Sequence, residues 1–291
     1  MTNNNVHDYN KPLSVYRFVK SEDIPLKESS KELRNLIETQ SQQMQSQRSF
    51  IELMSEFSLS ANKLLHSDIR DISSSRFKLA GVLILDALID VNDENSSNRR
   101  VEISNSLRRQ FENDKLTIDM NELVFRTIAL SMGHIARIVS TTDIEFLHSH
   151  YFDFAVKLLA SQHSESQRFC GSLLFTQLAL NSPATIFSKR KLLFTKIWPC
   201  VCDKSYHVRC CAAETLEIVL KLVAPRDDIS EYCKQALNIM KECLLPHVAH
   251  EKLIGVLLFY SVIGDGDSTG RDHLRDCTVQ VRPTICVYVY V

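Results

Sequence analysis

The sequence predicts an all-α fold, a HEAT- or armadillo-like α-solenoid built from paired antiparallel helices. Glycine and proline are scarce, at seven each, whereas β-sandwiches and barrels use both residues at their frequent turns. Apolar residues recur at helical spacing along most of the chain. Similar helical segments also return at intervals of forty to fifty residues, which indicates a repeat array.

Composition narrows the function classes. The chain has 291 residues, of which 44% are apolar and 24% charged, enough to bury a sizeable core. Its net charge of −1 argues against nucleic acid as the main partner, because phosphate binding needs a basic excess. No apolar run is long enough for a transmembrane helix, and the first residues lack the apolar core of a signal peptide.

The expected location is therefore cytoplasmic, with peripheral attachment to endomembranes and a nuclear location both left open. In these compartments the nine cysteines are expected to be thiols rather than disulfides.

Three regions are predicted along the chain. Residues 1–28 are polar and aperiodic and form a loosely ordered leader, and residues 29–263 form the helical repeat array. Residues 264–291 contain three of the seven glycines and end in the alternating string VYVYV, so they are interpreted as a disordered or artefactual tail. The alternative is that these residues genuinely belong to the protein, as a disordered tail or as an added edge strand.

Within the array, a more apolar helix follows an amphipathic one in each predicted pair. Ser75–Val91 is apolar on most sides and predicts a buried helix, and the polar run Val91–Arg100 after it predicts a loop. The other second helices are expected near residues 120–140, 165–181, 206–224 and 250–263.

These second helices align on a basic residue near their start. The basic residues are Arg76, Arg126, Arg168, Arg209 and Lys252, at intervals of 50, 42, 41 and 43. Small residues follow three or four places later: Ala80, Ala129, Gly171, Ala212 with Ala213, and Gly255. A large apolar residue stands seven places after the basic one in four copies, at Leu83, Phe175, Leu216 and Phe259. The second copy fits only if its alignment point slips by one residue, from Arg126 to Phe125. The intervals match the HEAT and armadillo period of about 40–47 residues.

The spacing has a physical reason. A small residue lets the neighbouring helix approach closely, and the large residue on the same face fills the space beside it. The basic residue can reach an acidic or carbonyl group in the preceding turn, where the fourth copy has Asp203 ahead of Val208 and Arg209. The stretch DKSYHVRCCAAETL, residues 203–216, resembles the HEAT consensus.

Four ordered stretches carry a more specific resemblance across residues 30–263. They are SSRFKLAGVLILDALIDV, LLFTQLALNSPATIF, IWPCVCDKSYHVRCCAAETLEIVL and EKLIGVLLFYSVI. In order and spacing they resemble the amino-terminal HEAT region of the target-of-rapamycin kinases, members of the phosphatidylinositol-3-kinase-related kinases. The chain departs from the family in having no Gly-rich phosphate loop, no catalytic Asp–Asn loop and no Asp-Phe-Gly motif.

The resemblance implies a scaffold fragment of a serine/threonine kinase, without enzymatic activity in this chain. It also implies a role in growth and nutrient signalling, with an adaptor subunit, a second kinase copy or a small GTPase as protein partners. Because the matched positions are fold determinants, no catalytic or cofactor-binding residue is carried over and no cofactor is expected. An unrelated HEAT adaptor, in transport or chromosome organisation, is the alternative, and an independent enzyme is a third.

Candidate sites outside the repeat signature have structural interpretations. The residues Cys200, Cys202, His207, Cys210 and Cys211 suggest zinc, but their spacing is not a usual zinc framework. The segment Gly264–Asp272 lacks the ligand pattern of a calcium loop. The basic runs Lys189–Lys191 and Arg99–Arg109 could meet an acidic partner or a membrane surface, although solvated faces are the simpler interpretation.

Overall fold

A computed structural model describes residues 34, 35, 39, 47–66, 72–91, 94–223, 232, 235 and 238. Several predictions lie outside these residues. They are the leader 1–28, the tail 264–291, the fifth second helix at 250–263, and its signature residues Lys252 and Gly255.

The described residues are all-helical and include no strand, which confirms the predicted all-α class. The helices are α1 (Gln47–Leu65), α2 (Ile72–Ile89), α3 (Ser96–Phe111), α4 (Ile118–Val139), α5 (Ile144–Phe146), α6 (Asp153–Leu159), α7 (Glu165–Asn181), α8 (Pro183–Ser188), α9 (Arg190–Val201) and α10 (Tyr206–Val223). A π-helical segment, Leu147–Phe152, joins α5 to α6 in one continuous helical stretch. None of these helices combines the length and hydropathy that a bilayer span requires.

The predicted second helices are found as α2, α4, α7 and α10, with ends within a few residues of the expected ones. The predicted loop Val91–Arg100 is too long, because α3 already begins at Ser96. Serine and asparagine favour helix starts as well as turns, so the run SSNRR opens a helix rather than extending the loop. Within α3, Arg99 and Arg100 donate to carbonyl groups at the end of α2.

Contacts within the chain divide it into two compact units, with the division at Ile135. In the first unit, α2 packs along α1 and also contacts α3. The rings of Phe111 on α3 and Phe125 on α4 meet edge to face, 6.1 Å apart. The hydroxyl of Ser75 donates to the carbonyl of Met120 at 2.8 Å, which ties α2 to the start of α4.

The second unit is organised around α7. The π-helical segment, α6, α8 and α10 all pack against this helix, and α9 packs on both α6 and α10. Phe152 and Phe175 meet edge to face at 5.1 Å, and both are fully buried. Trp198 is buried and stacks on Phe194 near the end of α9.

Candidate functional site

The turn between α9 and α10 holds a charged side chain with several short hydrogen bonds, that of Asp203. Its carboxylate accepts two hydrogen bonds from Arg168, from Nε at 2.6 Å and from Nη2 at 3.0 Å. It also accepts the backbone N–H of Ser205 at 2.9 Å, which closes the turn before α10 begins. Hydrogen bonding to Asp203 raises the pKa of the Arg168 guanidinium, so the pair stays fully ionised.

Arg168 and Arg209 occupy the same place in two of the predicted second helices. Arg168 is the fourth residue of α7, and Arg209 is the fourth residue of α10. Arg209 donates from Nη1 to the carbonyls of Asp203 and Lys204 at 2.8 and 2.9 Å. Arg168 donates from Nη1 to the carbonyl of Ser161 at 2.9 Å. Each guanidinium therefore binds main-chain carbonyls of the turn just before its helix, while the Asp203 carboxylate pairs with Arg168 of the preceding copy.

In the first copy the corresponding contact is made by a lysine that the sequence alignment passes over. Arg76 lies on the exposed side of α2, whereas Lys78 is 5% exposed and donates from Nζ to the carbonyl of Leu65 at 3.1 Å. Counted from Lys78, the third residue is Gly81 and the seventh is the fully buried Leu85. Arg168 and Arg209 are also followed by a small residue three places later and a large one seven places later. Moving the alignment point of the first copy by two residues, from Arg76 to Lys78, would therefore have found this contact from the sequence.

Two glycines permit the closest helix contacts. A Cβ added at Gly81 would lie 2.7 Å from the carbonyl oxygen of Ala61 on α1. A Cβ added at Gly171 would lie 3.0 Å from the carbonyl oxygen of Ala155 on α6 and from the Leu159 side chain. The small signature residues Ala80, Ala212 and Ala213 are buried, as are the larger Val208 and Leu216. These buried signature residues thus lie at packing contacts, whereas Arg76 is exposed and Lys252 and Gly255 lie outside the described residues.

The cysteines near the same turn are free thiols with little access to solvent. Cys200 and Cys211 are buried, and Cys202 and Cys210 are partly exposed. Burial raises the pKa of the Cys200 thiol to about 12, and burial also raises the pKa of Cys170 well above its usual value. Across the described part of the chain, no three histidine, cysteine or acidic side chains are placed to hold a metal ion.

A second charged cluster, in the first unit, was not anticipated from the sequence. Asp86 on α2 and Asp90, one turn later and just past the end of that helix, accept Arg34 from Nη2 and Nη1 at 2.8 and 3.2 Å. His134 on α4 lies between the same carboxylates, with Nδ1 at 3.3 Å from Asp86 and Nε2 at 2.8 Å from Asp90. The Nε2 contact is close enough for an ion pair but is not directed as a hydrogen bond.

Burial alone would raise the pKa of Asp86, but hydrogen bonding and the positive charge of His134 and Arg34 outweigh it. The net pKa of Asp86 is therefore lowered, and the carboxylate remains ionised inside the cluster.

The two predicted basic runs are largely committed to contacts within the chain. Arg99 and Arg100 donate to carbonyls of Val91 and Ile89, where cations complement the C-terminal end of α2. Lys189 pairs with Asp153 at 3.0 Å, and Arg190 donates to the carbonyl of Phe187 at 2.8 Å. Lys191, the last residue of its run, is exposed.

Among the exposed surfaces of the described residues are a groove and a helix face. In the first unit, a groove of about 410 Å³ lies between α1 and α3, lined by exposed Ile51 and Leu59 and by Asn98 and Glu102. In the second unit, the outer face of α9 exposes Leu192 by 42%.

Comparison with known proteins adds no assignment. No family model matches the chain, and no curated protein matches it.

Proposed function

We propose that the chain is a helical-repeat scaffold for protein–protein interaction, similar in role to the amino-terminal HEAT region of a target-of-rapamycin kinase. In this proposal the paired helices continue as a solenoid, and the protein serves complex assembly in growth and nutrient signalling. Its partners are an adaptor subunit, a second kinase copy or a small GTPase, and it binds no cofactor.

One observation carries the proposal, the repeated bonding of Arg168 and Arg209. Both guanidinium groups occupy the fourth position of their helices and bind the turn before it. Repetition of the same contact in successive helices supports an array in which each hairpin is built like the last. Such arrays present extended surfaces to other proteins, because each repeat buries only the faces that touch its neighbours.

Affinity capture with the full chain tests the proposal. The tagged chain should recover a reproducible set of proteins from a cell lysate, including an adaptor of the target-of-rapamycin kinase complex. The variant Asp203→Ala/Gly81→Val, chosen to disrupt both units and checked by circular dichroism for loss of helix, serves as the matched bait without folded surfaces. Recovery of transport or chromosome factors instead would favour the unrelated HEAT adaptor, and equal recovery by both baits would refute a folded scaffold.

A further inference from the structure

The exposed face of α9 is positively charged. Leu192, Thr195, Lys196 and Pro199 follow one another at helical spacing, and the first, second and fourth are exposed. Lys191 borders this face and is also exposed. From Lys189 to Val201 the chain carries four cations and no acid, although its overall net charge is −1.

Two of these cations are already engaged in side-chain contacts within the chain, and two are not. Lys189 pairs with Asp153, and Arg190 rests 4.3 Å from the centre of the Phe187 ring and donates to the Phe187 carbonyl. Among the described residues, no acid pairs with Lys191 or Lys196. The face therefore presents two uncompensated positive charges on either side of an exposed leucine.

We propose that this face of α9, formed by Leu192, Thr195, Lys196 and Pro199 and bordered by Lys191, docks an acidic polypeptide segment that carries a large apolar side chain. The proposal rests on the scaffold function above and names the partner chemistry of one of its surfaces. Acidic groups of the partner would pair with the two lysines, and its apolar side chain would cover Leu192.

A protein segment fits this face better than a membrane or a nucleic acid does. Helices that lie on membranes need a broad apolar face, and basic lipid-binding clusters have about 4–8 cations. Here one leucine and one proline ring are exposed beside two unpaired lysines. Nucleic acid binding would likewise need a longer basic stripe.

A displayed library of short random peptides, selected on the immobilised full chain in low salt, is the test. Enriched peptides should contain aspartate or glutamate around a large apolar residue. A labelled synthetic copy should bind Lys191→Glu/Lys196→Glu about tenfold more weakly, because attraction becomes repulsion. Its binding should also weaken with added salt.

Matched controls separate this face from the rest of the surface. The double reversal Lys115→Glu/Lys204→Glu makes the same charge change at two exposed turn residues and should leave affinity within about twofold. Leu192→Ser should weaken binding, whereas Leu180→Ser changes a leucine that is 58% exposed elsewhere and should not. Melting curves of all variants should coincide closely, because each changed side chain is largely outside the core.

A charge-swapped peptide adds a readout that a folding defect cannot imitate. Replacing the acids of the selected peptide with lysines should restore binding to Lys191→Glu/Lys196→Glu while abolishing binding to the native chain. Failure of this rescue, or absence of acidic peptides from the selection, overturns the proposal. Binding to phosphatidylserine vesicles through the same lysines, without peptide binding, would reassign the face to membranes and also overturn it.

The outcome is distinguishable from that of the scaffold proposal. If the native chain and Lys191→Glu/Lys196→Glu capture the same proteins from a lysate, the scaffold function stands and the role of α9 falls. If neither chain captures any protein, the scaffold function itself falls.

Discussion

The two charged clusters of the molecule are built on different rules. In the second unit, Arg168 and Asp203 form a two-bond pair at a turn, and Arg209 makes the same kind of turn contact at the start of α10. In the first unit, Asp86 and Asp90 share two partners from other segments, the Arg34 guanidinium and the His134 imidazole. The first arrangement follows the repeat period, whereas the second arises from one particular meeting of side chains.

This difference separates contacts that recur with the sequence period from contacts that do not. A pair tied to the repeat fixes the geometry of successive turns, so its loss affects every helix that the turn positions. A cluster outside the repeat adds local stability, so its removal should lower the free energy of unfolding by less. The following variants compare the stability that each kind of contact contributes.

Asp203→Ala should cause the largest loss of stability, about 3 kcal/mol, because it leaves the mostly buried Arg168 guanidinium without its anion. It also removes the cap on the Ser205 N–H. The free energy of unfolding from urea titration measures the loss. Lys204→Ala, at the exposed neighbouring residue, is the control, and similar stability of the two variants would contradict the central role of the pair.

Gly81→Ala should destabilise by about 2 kcal/mol, since overpacking against a backbone carbonyl outweighs the helix propensity gained. Gly171→Ala should cost less, because its nearest backbone contact is 3.0 Å rather than 2.7 Å and its other close neighbour is a leucine side chain. Thermal melting of both variants compares the two contacts. A more stable Gly81→Ala protein would show that α1 and α2 can separate freely.

Asp86→Asn should lower stability at neutral pH by about 1–2 kcal/mol, because the lowered pKa of Asp86 reflects favourable contacts of its ionised form. A depressed folded-state pKa contributes stability above the unfolded value near 3.8, and this contribution is lost as pH falls through the folded value. The native chain should therefore lose more stability on acidification than the variant. Urea titrations from neutral to acidic pH measure the difference, with Glu56→Gln as the exposed control.

Thr215→Val should have the smallest effect, about 1 kcal/mol, the usual net contribution of one hydrogen bond. The Thr215 hydroxyl lies 3.1 Å from the carbonyl of Ser172 and 2.8 Å from the hydroxyl of Thr176, which links α10 to α7. Thr195→Val, on the exposed face of α9, is the isosteric control. A loss of stability as large as that of Asp203→Ala would show that the Thr215 hydrogen bonds contribute as much as the Arg168–Asp203 ion pair.

Helix identity could be predicted from the sequence because apolar spacing records which side of a helix is buried. The second helices α4, α7 and α10 were located in this way. The sequence also predicted that a basic residue contacts the preceding turn, and Arg168 and Arg209 each donate to a carbonyl group there. Their side chains bond to groups nearby in the sequence, so spacing alone was informative.

The remaining contacts depend on segments far apart in the sequence. Asp86 and His134 are 48 residues apart and belong to no common pattern, so nothing in their spacing indicated the cluster. Lys78 was passed over because Arg76 offered an equally basic residue two places earlier. Only burial distinguishes them, and a helix that is apolar on most sides gives little indication of which side faces its partner.

Arg168 also bears on how this chain can change in length. Its single side chain reaches back to the Ser161 carbonyl and forward to the Asp203 carboxylate. A residue inserted into either turn would move one acceptor out of reach while leaving the other in place. Insertions and deletions should therefore be rare around residues 161–164 and 202–205 in natural variants, and grafted loops should be tolerated better in turns that no guanidinium spans.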